Sequence, residues 1–210
     1  MRIAIIDSGI NPDHPHVGGI AGGVCMNGGD SIDRLGHGTA VAGAIREKAP
    51  NAELFAVKVF DRTLSAKIGM IIRAIEWSLD QRADIINLSL GTHNPAHRPL
   101  LEQVLASAQA VVVSAADLLP GSIDGVIGVA LDWDCPQDEY QVEMRNGRPI
   151  FRASGFPRSI PGVPREKNLS GISFAVANMT GLAARELAHG TPPESLPAKL
   201  IERAAKSRVA

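Results

Sequence analysis

Five short stretches of the chain are almost wholly apolar: residues 3–6, 54–59, 85–89, 111–115 and 126–130. Apolar runs of this length without alternation predict strands buried on both faces of a parallel sheet. The segments between them have the length and spacing of helices. Residues 40–48 follow the turn Gly36-His37-Gly38-Thr39, and residues 65–82 carry apolar side chains at 68, 71, 72, 75 and 79, one face of a 3.6-residue period. Residues 99–109 repeat the pattern with Leu100, Leu101, Val104 and Leu105.

Strands that alternate with helices predict an α/β fold, a mostly parallel central sheet with helices on both faces. From 132 to 167 the pattern changes to mixed charged and polar residues with prolines at 136, 149, 157, 161 and 164, which predicts a β-hairpin and loop. A long helix is expected from about 173 to 188. A last one, 194–206, is set off by Gly190 and Pro192-Pro193. With 210 residues and neither repeat nor linker, the expectation is one domain over 1–210.

Composition narrows the function classes. A formal net charge of −1 argues against general electrostatic attraction to nucleic acid or an anionic membrane. No apolar run reaches membrane-spanning length. Met1-Arg2 leads directly into the first strand with no signal-peptide core, so a soluble, cytoplasmic protein without a pro-segment is expected. The two cysteines, Cys25 and Cys135, lack metal-ligand spacing and are expected to be free thiols; no metal or cofactor is implied.

In open parallel sheets, sites form at the carboxyl ends of strands. Asp7 lies at such an end, as do Ser89-Leu90-Gly91 and Ser114-Ala115-Ala116-Asp117. His37 and Ser173 each stand at a predicted helix start beside glycine. A serine hydroxyl becomes a useful nucleophile when an imidazole takes its proton, and the imidazole needs a carboxylate to hold its tautomer and stabilise its cation. Asp7, His37 and Ser173 supply those three groups. The helix start at Ser173 also directs amide donors toward a developing oxyanion.

The blocks around these residues resemble the subtilisin family. The residues 4–10 (Ala-Ile-Ile-Asp-Ser-Gly-Ile) are similar to its Asp block, 33–43 (Asp-Arg-Leu-Gly-His-Gly-Thr-Ala-Val-Ala-Gly) to its His block, and 170–181 to its Ser block, in the family's order Asp, His, Ser. The resemblance implies a subtilisin-like three-layer fold and a serine endopeptidase with Asp7, His37 and Ser173 as its triad. It implies that peptide or protein substrate is bound along Ser89, Leu90 and Gly91 and beside Ser114, Ala115 and Ala116, and that the Ser173 amide is one oxyanion donor.

Some positions depart from the family's pattern. Ile172 stands where the family usually has Thr, and Ala177 where it has Pro. Asp117 stands where the resemblance expects an oxyanion-binding Asn. An ionised carboxylate there opposes the charge that develops in the reaction, whereas a protonated one could donate to it, and another group could serve as the donor instead. The loss of such a donor costs about 10²–10³-fold in turnover in this family. No acidic loop resembles the family's calcium sites.

Three readings follow: an endopeptidase of narrow specificity that matures a peptide precursor, a peptide ligase or macrocyclase on the same triad with 132–167 as its cover, and an impaired domain that binds peptides without cutting them. A regulatory partner is compatible with all three. The basic residues at 145, 148, 152, 158, 165 and 167 form either a solvated face or a landing site for an acidic segment, and Trp133 with Tyr140 either a groove lining or a loop anchor.

Overall fold

The computed structural model describes residues 1–207. Eight strands form one sheet: β1 (Arg2–Asp7), β2 (Gly22–Cys25), β3 (Glu53–Lys58), β4 (Ile85–Leu88), β5 (Val111–Ala115), β6 (Ile127–Asp132), β7 (Tyr140–Arg145) and β8 (Arg148–Ser154). Their order is β2-β3-β1-β4-β5-β6-β8-β7, and every neighbouring pair is parallel except β7 with β8. The helices are α1 (His37–Lys48), α2 (Ile68–Asp80), α3 (Arg98–Leu105), α4 (Ile172–Ala188) and α5 (Leu196–Ser207).

The two-residue alternation of a strand divides the core between the faces of the sheet. Ile3 and Ile5 of β1 join Ile45, Phe174 and Leu182 in a layer built with α1 and α4. Ala4 and Ile6 turn to the opposite layer, with Ile71, Ile75 and Leu101 of α2 and α3. All four β1 residues are fully buried, which is why β1 reads as a continuous apolar run. The three-layer α/β architecture expected from the sequence is the one found.

The differences lie at edges and ends. β2 begins Gly-Gly, and none of its residues is fully buried, so it carries no apolar signal; its pairing with β3 makes it a strand. The expected hairpin is present as β7 and β8, but β8 also pairs in parallel with β6 and extends the main sheet. α1 begins at His37, three residues earlier than the apolar pattern suggests. A short 3₁₀ turn, Pro95–His97, precedes α3. Among the described residues no helix is long and apolar enough to cross a membrane.

The crossovers position the site. From β1 the chain builds β2, α1 and β3 on one side, then returns by α2 to β4 on β1's other flank, with α1 and α2 on opposite faces. The strand order therefore reverses beside β1, and the crevice opens at the carboxyl ends of β1 and β4. The packing of α1 against α4 holds the helix starts that face this crevice. Ile45 of α1 is fully buried in that layer. Ile45→Ala is expected to lower unfolding stability by about 2–5 kcal/mol, read as an earlier urea midpoint with an unchanged slope.

Candidate active site

Asp7 ends β1 with no exposed surface. A buried carboxylate requires donors, and the Asp7 Oδ1 accepts from the Ser8 amide at 2.7 Å and from His37 Nδ1 at 2.7 Å. Because the carboxylate accepts, Nδ1 carries the proton and Nε2 is left as the basic nitrogen of the neutral ring. The His37 side chain is 14% exposed and packs against Phe174, with ring centroids 5.5 Å apart. Burial, the largest single influence on the ring, disfavours its cation. The Asp7 hydrogen bond, the Asp7 charge and the Asp33 charge together outweigh it and raise the His37 pKa above 6.5.

A second carboxylate holds this pair in place. Asp33 Oδ1 accepts from Ser8 Oγ and from the amides of Leu35 and Gly36, each at 2.9 Å. Its Oδ2 accepts from the Thr39 amide at 2.8 Å and the Thr39 hydroxyl at 2.6 Å. Ser8 Oγ accepts in turn from the Gly38 amide at 2.9 Å. The end of β1 is thus tied to the first turn of α1, which otherwise lacks a side-chain cap. The approach is close: a Cβ at Gly38 would lie 2.1 Å from Gly9 O and 3.2 Å from Asp7 Oδ1. Asp33 was not among the residues anticipated for the site, although an Asp whose carboxylate caps amides two and three residues on is a recognisable Asx-turn pattern.

Ser173 occupies the first turn of α4. That helix has no side-chain cap, and Gly171 O receives the Phe174 and Ala175 amides, so the Ile172 and Ser173 amides remain without a partner among the described residues. Ser173 Oγ donates to Ser89 O at 3.1 Å. Ser89 Oγ lies 2.9 Å from Asn87 Oδ1 and 3.1 Å from Ser173 O, and donates to one of them at a time. The fully buried Asn87 donates to Thr180 Oγ1 at 2.9 Å, which anchors the strand end to the middle of α4.

His37, Ser173, Ser89, Leu90 and Gly91 share the wall of one cavity of about 350 Å³, closed on its other side by Leu64, Ile68, Ile71, Leu101 and Leu119. The structure therefore brings Asp7, His37, Ser173 and the 89–91 segment together. It does not bring the rest of the expected set there. Ser114 is fully buried and its hydroxyl donates to Leu90 O at 3.2 Å; Ala115 and Ala116 are buried and take no part in the cavity wall.

Asp117, expected at the oxyanion, is 75% exposed, and its Oδ1 accepts from Arg145 Nη1 at 2.7 Å. The side chain pairs with a guanidinium at the surface and does not line the cavity that His37 and Ser173 share. Four of the six late basic residues are likewise in ion pairs: Arg145 with Asp117 and Glu143, Arg148 with Asp124, Arg152 with Asp132, and Arg158 with Glu47. Trp133 packs on Phe156, and Tyr140 donates to Leu200 O at 2.8 Å, so both anchor loops and helices. Cys25 and Cys135 are free thiols.

The subtilase family model matches residues 1–129, which include Asp7, His37 and the 89–91 segment. The chain belongs to the subtilase family. It is 30% identical to Subtilisin E of Bacillus subtilis (strain 168) over 203 residues, covering 90% of this chain and 53% of that protein. It is 30% identical to Subtilisin of Bacillus pumilus, covering 74% of that protein, and 32% identical to Subtilisin Savinase of Lederbergia lenta, covering 73%. The subtilase chain described here thus spans about half the length of Subtilisin E. The crystal structure of a cold adapted subtilisin-like serine proteinase shares the fold, with a TM-score of 0.72 at 23% identity over 96% of this chain and 81% of that one.

The raised His37 pKa carries a sign that can be read directly. In a subtilase site arranged in this way, the His37 imidazole is expected to lose its proton with a midpoint above 6.5. In Asp7→Asn the Asp7 charge is gone and the weaker Asp33 charge is left to oppose burial, so the midpoint is expected to fall below that of the unaltered protein. Histidine NMR titration of both proteins, with His37→Gln assigning the resonance, reads the two midpoints.

Proposed function

We propose that this protein is a serine endopeptidase in which Ser173 is the nucleophile, His37 the general base and then acid, and Asp7 the group that orients His37. One observation carries the proposal. A buried carboxylate holds the imidazole by Nδ1, and that imidazole shares a cavity with a serine beside two unpartnered helix amides.

In the proposed reaction the Ser173 hydroxyl leaves the Ser89 carbonyl and turns to His37. Its oxygen attacks the carbonyl carbon of the scissile bond while Nε2 takes the proton. The oxyanion forms beside the Ser173 amide at the positive end of α4. Collapse breaks the C–N bond, His37 delivers the proton to the leaving amine, and water releases the acid by the same route in reverse roles. Peptide lies along Ser89, Leu90 and Gly91 as an added strand.

The substrates of this proposal are a narrow set of peptide precursors. What supports narrowness is the cleft itself, whose 114–120 side is pinned to the 90–92 segment by hydrogen bonds rather than left open. A second reading, a domain that binds peptide without turnover, is favoured by Asp117, whose pairing with Arg145 leaves no side-chain donor at the oxyanion from that position. The ligase reading has no comparable support: the middle of 132–167, the segment expected to cover the site, is built into the sheet as β7 and β8.

Incubation with an unfolded protein and with a mixed peptide library, read by product mass, separates these outcomes. Cleavage of a few library members, each gaining one water, and its loss in Ser173→Ala are expected. Rapid digestion of the unfolded protein to many fragments would overturn narrow specificity. Peptide binding without any cleavage at any pH would favour the second reading.

A further inference from the structure

Beside Ser173 the segments that leave β4 and β5 run next to each other, and the crease between them is closed at both ends. At one end Ser114 Oγ donates to Leu90 O at 3.2 Å. At the other, Thr92 and Leu119 form an antiparallel bridge, with Thr92 N to Leu119 O and Leu119 N to Thr92 O both at 3.0 Å. Such a bridge holds two backbones about 5.5 Å apart.

The space between the two ends is filled. Leu118 packs on Gly91 so closely that a Cβ at position 91 would lie 2.6 Å from Leu118 Cβ and 2.9 Å from its Cδ1. The turn that presents Leu118 is itself fixed, its amide donating to Ala115 O at 3.1 Å. A crease with joined walls and an isobutyl group inside it has no volume for a second large side chain.

A peptide laid along 89–91 as an added strand directs successive side chains to opposite sides. One side is the cavity that His37 borders; the other is this crease, where a Cβ at Gly91 would point at Leu118. The residue that acylates Ser173 must leave His37 free to reach the serine and the leaving amine, so its side chain takes the crease. We infer that the residue forming the acyl-enzyme is glycine or alanine, and that Leu118, seated on Gly91, is the side chain that imposes this choice. The inference rests on the peptidase reading above and specifies its substrate class: peptides cut after a small residue.

The test uses peptide diphenyl phosphonates that share their upstream sequence and differ only at the residue bearing phosphorus: glycine, alanine or phenylalanine. Each reacts by forming a bond from Ser173 Oγ to phosphorus, with loss of phenol, and intact mass follows the rate. The glycine and alanine reagents are expected to react at least about tenfold faster than the phenylalanine one. In Leu118→Gly, and to a lesser degree in Leu118→Ala, the phenylalanine-to-alanine rate ratio is expected to rise by about tenfold. The Thr92–Leu119 bridge uses backbone atoms alone and survives both changes. Reading the ratio within each protein cancels any general change in the reactivity of the serine.

Equal rates for phenylalanine and alanine in the unaltered protein would overturn the inference, as would a ratio that does not move in either variant. A small fluorophosphonate with no peptide portion distinguishes the two levels of the account. If it labels Ser173 while the ratio is flat, only the specificity inference fails. If it labels nothing, the peptidase reading fails and takes this inference with it.

Discussion

A carboxylate that sees no solvent is costly without donors, and the fold gives Asp7 two of them on one oxygen while leaving Oδ2 buried without a partner among the described residues. Asp7 lies at the end of a strand buried from Ile3 onward, at the point where strand order reverses and the crevice opens. One oxygen is satisfied by the next amide and by His37. Everything that brings His37 within reach then becomes a condition on the fold: the start of α1, the close passage of Gly38 over Gly9, and the Asp33 carboxylate that collects five donors from both sides of the junction. Asp33 does not touch Ser173 or the cavity's reacting groups. It is a positioning residue, and its charge also helps to keep His37 basic.

The serine side is built by a different device. α4 begins without a side-chain cap, a choice that costs helix stability and leaves amide donors free at the mouth of the crevice. The chain Thr180, Asn87, Ser89 runs from the buried middle of α4 to the strand end that faces Ser173. The two halves meet because α1 and α4 share one core layer on the same face of the sheet. The site is therefore an outcome of packing between helices whose starts converge, not of local sequence alone.

What was legible in the sequence follows the same division. β1, β3, β4 and β5 are covered on both faces, so they appear as apolar runs, and Asp7, His37 and Ser173 lie in blocks that resemble a family. β2 was not legible because its Gly-rich edge residues pack little and become a strand only by pairing with β3. Asp117 was legible as an unusual residue, but its direction was not, since that depends on Arg145, 28 positions away. The same holds for Leu118 on Gly91 and for the Thr92–Leu119 bridge, which join segments that are far apart along the chain. Asp33 stood in view inside the His block, and its role came from five donors on four residues that no single motif names.

The central claim is that this geometry activates Ser173, through His37 and Asp7, with the backbone alone serving the oxyanion. Treating the purified protein with a small fluorophosphonate and weighing it intact, alongside Ser173→Ala and Asp7→Asn, tests it most directly. The account predicts a single adduct in the unaltered protein, none in Ser173→Ala, and labelling of Asp7→Asn slowed by at least about 10²-fold. A folded protein that takes up no adduct at any pH, or one labelled equally fast without the Asp7 carboxylate, would contradict it.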